Sequence, residues 1–119
     1  MPRREDPERG SATAETALVL PAVVMLLVVL LVAASAAVTQ VRVADAARAG
    51  ARSAALGETS QVVHDLTQEL AGEDAAVRIG RDGAYVVVEV TRRIPGPLGL
   101  ADLQASASAR ALPEPGEGP

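Results

Sequence analysis

From Thr16 to Val41 the chain runs 26 residues without a formal charge, bounded by Glu15 and Arg42. As an α-helix that run is about 39 Å long, more than the ~30 Å hydrocarbon core of a bilayer. A helix apolar all round is either buried in a large core or surrounded by lipid. A chain of 119 residues leaves too few others to enclose it. The stretch therefore reads as a single membrane span.

Composition narrows the function classes. The chain has no Cys, which excludes a disulfide framework, a thiolate metal site and a cysteine nucleophile. Its one histidine, His64, cannot form a histidine metal cluster within one chain. All 11 basic residues are Arg and the net charge is -4, which argues against nucleic-acid binding, and without Lys there is no Walker-type phosphate loop. Ser and Asp occur, but no nucleophile elbow or triad context accompanies the His. The expectation is a protein that is not an enzyme, with no catalytic residues, cofactor, metal or small-molecule substrate.

Flanking charges do not orient the span. Residues 1–10, MPRREDPERG, carry three Arg, three acids and two Pro, the composition of a short disordered leader. Arg3, Arg4 and Arg9 precede the apolar run, while Arg42, Arg48 and Arg52 follow it, so the positive-inside rule is close to a tie.

The junction is more informative. The run Arg9-Gly10-Ser11-Ala12-Thr13-Ala14-Glu15-Thr16 resembles the processing site of type IV prepilins. In that family a basic leader ends in Gly, a membrane peptidase cuts after it, and a Glu stands fifth in the mature chain, directly ahead of an apolar helix. Counting from Ser11 puts Glu15 fifth. The onward Ala17-Leu18-Val19-Leu20-Pro21, followed by Val and Leu, resembles the TadE-like group of minor pilins or pseudopilins of tight-adherence pili. Thr16 stands where related major subunits often carry an aromatic, which favours the minor-pilin reading.

The resemblance implies an N-terminus in the cytoplasm, cleavage between Gly10 and Ser11, and export of everything after Arg42. It also implies three partners: the lipid bilayer, a prepilin peptidase, and other pilin subunits with their assembly platform. Glu15 is implied to meet the new amino group of Ser11 on an adjacent subunit. Physically, an unpaired carboxylate at a membrane edge is costly enough to be read as functional, although a helix-start acid also suits the helix dipole in water. Two other readings of the same stretch stand beside this one. Ala34-Ser35-Ala36 satisfies the small-residue rule for signal peptidase, and a cut there would release a soluble head; an uncut single-pass anchor is the other.

Pro21 lacks the N–H that would reach the carbonyl of Ala17 and is expected to kink the span locally. Ala33 with Ala37, and Ala46 with Gly50, have the small-xxx-small spacing that lets helices approach closely, a pattern that an Ala-rich chain also produces by composition. Past the span the helix is expected to continue to Leu56 and stop at Gly57, with Val43, Ala47, Gly50, Ala51 and Ala54 on one face.

The remainder reads as a small head. Val62, Val63, Leu66 and Leu70 mark one face of a short helix ending near Gly72, with His64 on its polar side. Val77 and Ile79 alternate with Arg78, Arg81-Asp82-Gly83 supplies turn chemistry, and Val86, Val88 and Val90 share a face opposite Tyr85, Glu89 and Arg93. Arg92-Arg93 reads as a solvated strand end, and a last strand spans about Leu103 to Leu112. The fold class expected is α+β: a long N-terminal membrane-spanning helix, pilin-like, then a head with a short helix and a three-stranded antiparallel sheet. The divisions are 1–10 leader, 11–41 span, 42–56 continuation, 57–112 head and 113–119 disordered tail. With no Phe, Trp or Cys the head has a thin core.

Overall fold

The computed structural model describes residues 7–95 and 103–115, with side chains described from Gly10 onward. The molecule is 99 Å long and about 20 Å across. Two helices and three strands follow one another: α1 (Pro7–Ala55), α2 (Ser60–Ala71), β1 (Ala76–Asp82), β2 (Tyr85–Arg93) and β3 (Gln104–Ala111). The α+β class, the long apolar helix and the three-stranded antiparallel sheet are as the sequence indicates.

α1 takes in the last four residues of the stretch read as a leader. Pro7 is well placed there, because the first helical residue needs no N–H partner and its fixed φ suits the helix. The helix passes through Pro21 as one continuous α-helix. It ends where Gly57 adopts φ +89°: Glu58 N–H donates to Ser53 O at 3.3 Å and Gly57 N–H to Ala54 O at 3.1 Å. This is the paired bonding of a Schellman cap, which a side chain with Cβ would strain. Thr59 then caps α2, its side chain accepting from Val62 N–H, and Gly72 closes it.

The sheet has the order β1-β2-β3, with β2 central. β1 and β2 are joined by the two-residue turn Gly83-Ala84, Asp82 opposing Tyr85, and Gly83 takes φ +61°. One face of the sheet packs on α1 and α2 through Val86, Val88 and Val90, joined by Ala105 and by half-buried Val77, Ile79, Ala107 and Ala109. The facing surface of α1 is Val43, Ala46, Ala47 and Ala51. Small residues there let the backbone of α1 approach the sheet closely, which offsets the lack of aromatic side chains.

The buried stripe of α2 differs from the one expected. Val63, Thr67 and Ala71 are buried, Leu66 is partly buried, and Val62 and Leu70 remain largely exposed. Residues i, i+4 and i+8 line up on one side, and Thr67 sits among apolar neighbours because its hydroxyl donates to Val63 O at 2.6 Å. Counting only aliphatic residues missed it.

The head also reaches further down α1 than the boundary at 41/42. Ser35 Oγ donates to Pro95 O at 3.1 Å, Gln40 Nε2 donates to Ser106 O at 2.9 Å, and Thr39 is buried. Below them, α1 from Gly10 to Leu31 is exposed all round. Thr16 to Ala34 is about 28 Å of helix, close to the ~30 Å of a hydrocarbon core. α1 is thus long and apolar enough to cross a membrane below the head. At the other end the chain does not leave the head at Pro113: Glu114 N–H donates to Ala55 O at 3.0 Å, while residues 116–119 of the expected tail lie outside the described residues.

Candidate processing and assembly site

The residues singled out at the junction all lie on the uncovered lower part of α1. Gly10 is exposed, and a Cβ built on it would meet nothing within 4 Å. Steric crowding is therefore not the reason for glycine here. Its effect is on the backbone: Gly is about 1 kcal/mol less helix-favouring than Ala, so it loosens the turn carrying the Gly10–Ser11 peptide. That peptide is helical. Ser11 and Glu15 are one turn apart on the same side of α1, both exposed. Thr16 Oγ1 donates to Ala12 O at 2.9 Å, which closes the polar edge just before the aliphatic run begins.

Beyond Thr16 the exposed surface is Leu18, Val19, Leu20 and then an almost unbroken aliphatic cylinder to Leu31. Pro21 is within it, and Ala33 and Ala37 are exposed just above. Ala46 and Gly50 are placed differently. Ala46 is fully buried, and a Cβ on Gly50 would collide with Thr67 Oγ1 and lie 3.1 Å from Val88 Cγ1. The close approach at Gly50 is to α2 and β2 of the same chain, and Ala46 belongs to the same buried core.

Three residues shape the head around this helix in ways the sequence reading does not give. Arg92 is tucked in rather than solvated as a strand end. Its Nη1 donates to Ala71 O at 2.9 Å, its Nε lies 3.2 Å from Asp74 Oδ1, and it fills the space a side chain on Gly72 would take. A cation at the C-terminus of α2 also faces the negative end of the helix dipole. Thr59 and Thr67 are the other two; Thr59 was findable as a Thr preceding a helical pattern, whereas nothing local marks Arg92 or Thr67. His64 lies half-exposed beside Asp65, with Nδ1 to Oδ1 at 3.7 Å. On the open face of the sheet, Arg110 reaches across β2 to Asp82 at 3.1 Å, over Gly80, which has no side chain to block it.

The described residues thus form one long, exposed apolar helix, compatible with a single-pass membrane protein, topped by a small α+β head. A family model described as TadE-like protein matches residues 10–52, the span of α1 from the junction to near its cap. A protein of Mycobacterium tuberculosis named apoptosis inhibitor is 37% identical over 102 residues, covering 86% of this chain and 78% of that protein. No solved structure matches the chain. The chain belongs to the TadE-like family and is a component related to Tad pili.

Proposed function

We propose that the protein is a minor pilin, or pseudopilin, of a Tad-type pilus or a related secretion apparatus. It is held in the membrane by the lower part of α1 with its N-terminus in the cytoplasm and its head outside, and a prepilin peptidase cuts it after Gly10. Assembly moves the aliphatic cylinder from lipid into a bundle of subunit helices, where Glu15 finds a positive partner on a neighbour. One observation carries this reading: Gly10, Ser11 and Glu15 stand exposed at the foot of a helix that is uncovered up to Leu31. Such a surface is stable only in lipid or against other helices.

The apoptosis-inhibitor name of the mycobacterial relative offers a second reading, a head that acts away from its own membrane after a cut near Ala36. The packing of Ser35 on Pro95 weighs against it, because that cut would sever α1 inside the head. The test of the pilin reading is Gly10→Leu. This variant is expected to accumulate uncut in the membrane and to be missing from sheared surface fibres that contain the wild-type chain. Normal processing and normal recovery in fibres would contradict it.

A further inference from the structure

Above the membrane-spanning part, α1 and α2 leave between them a groove of about 490 Å³. Its walls are apolar, formed by Val38, Val41, Ala46 and Ala49 of α1 and Leu70 of α2, and Val38 and Val41 are more than half exposed. Two charges also line it, and they differ in standing. Asp45 is bound by Arg48 at 3.2 Å, whereas Arg42 makes no ion pair among the described residues. The groove is therefore an apolar trough with one uncompensated cation.

The same chain contains a segment of complementary chemistry. Glu15 makes no ion pair among the described residues either, and it stands directly before the 26 charge-free residues from Thr16 to Val41. We propose that the groove receives the start of α1 from a second copy of this chain, Ser11 to Ala22, with Glu15 of the second copy against Arg42; the inference rests on the pilin reading above.

The spacing of the two helices supports the match. Glu15 and Arg42 are 27 residues apart, about 40 Å along a straight helix. When Glu15 of the second copy is level with Arg42, its Ser11, Ala14, Leu18 and Ala22 are level with Val38, Val41, Asp45 and Ala49. Both sets follow the steps i, i+3, i+7 and i+11, so each forms a single stripe on its helix. Small residues at 11 and 14 meet the two bulky valines, and the larger Leu18 comes beside Asp45, whose charge Arg48 already holds. The pairing brings a free carboxylate to a free guanidinium, and after the cut the Ser11 amino group lies one turn from Glu15 on the same helix, at the end of the contact where Val38 is exposed.

A consequence concerns when the pair forms. Two copies anchored in one bilayer lie level, which puts Glu15 at the foot of the span and Arg42 above its other end, within the head. They meet only when one copy has advanced by about 40 Å relative to the other, more than the length of the span. The pair thus locks subunits that have left the bilayer and is silent in the membrane pool.

Because the chain has no Cys, site-directed disulfides test this directly. Full-length Val41→Cys and Ala14→Cys chains are expressed together and oxidised. A mixed dimer is expected in the fibre fraction and not in the membrane fraction, and Val41→Cys alone should stay monomeric. A dimer through Val41→Cys alone, or a mixed pair that remains monomeric in fibres, would overturn the proposal while leaving the pilin reading intact. Charge exchange supplies the second measurement. Glu15→Arg and Arg42→Glu should each lower recovery in fibres about tenfold, the double variant restoring most of it, since an apolar contact left with an unpaired or repelling charge is strongly disfavoured. Unchanged recovery for Arg42→Glu, or no rescue in the double variant, would assign Glu15 another partner. Absence of the wild-type chain from all fibres would overturn the pilin reading together with the pairing.

Discussion

The lower and upper parts of α1 are one continuous helix in two surroundings. From Leu18 to Leu31 the surface is large and aliphatic, and none of the described residues covers it. From Val43 to Ala54 the inward face is Val, Ala and Gly, and the sheet and α2 close over it. Side-chain size separates the two roles. Large residues present apolar area to lipid or to other subunits, while small ones allow the chain's own elements to approach the helix axis. A run of uncharged residues alone does not mark the change, because it continues to Val41. The change is at Ser35, Thr39 and Gln40, whose polar groups are engaged by the helix itself or by the head.

If this division holds, substitutions in the two parts should fail in different ways. The largest effect is expected from Val88→Asp. Val88 is fully buried against α1, and an unpaired buried carboxylate costs several kcal/mol, comparable with the whole stability of so small a head. The head should become protease-sensitive while the chain stays in the membrane. Leu27→Arg should do the reverse, costing about 2.5 to 3.5 kcal/mol of insertion at the middle of a span and leaving the head's fold unaffected. Membrane fractionation and limited proteolysis distinguish the two outcomes.

Gly50→Leu comes next. Its side chain meets Thr67 and Val88, so about 1 to 3 kcal/mol of overpacking strain is expected, read as a lower melting temperature of the head. The loss should therefore appear in folding before assembly is reached. Truncation gives a finer test of the boundary. A head starting at Val32 retains the Ser35, Thr39 and Gln40 contacts, and one starting at Arg42 loses them; the first should be more stable by about 1 to 3 kcal/mol in urea unfolding. The smallest effect, about 1 kcal/mol, is expected for Thr59→Ala, which removes only the cap of α2.

Much of this was legible because it depends on short-range pattern. The span follows from charge-free length, the β1-β2 turn from Asp82-Gly83, the end of α1 from Gly57, and the alternation of β3 from Ala105, Ala107 and Ala109 against Ser106, Ser108 and Arg110. The misreadings involve contacts between residues distant in sequence. Arg92 binds the end of α2 from a strand 21 residues later, and Ser35 bonds Pro95 across 60 residues. Thr67 is buried because Gly50 leaves it room. None of these is visible in a window of neighbouring residues. The family was legible for another reason: the residues around Gly10 resemble a family motif, and the match over residues 10–52 begins there.

The first residue of the protein recovered from membranes and from sheared fibres tests the central claim most directly. N-terminal sequencing is predicted to read Ser11-Ala12-Thr13-Ala14-Glu15, with the lower part of α1 intact above the cut. A chain beginning at Ala37 would make the aliphatic cylinder a discarded signal, and an intact Met1 or Pro2 would make it a permanent anchor; either result would contradict the pilin account.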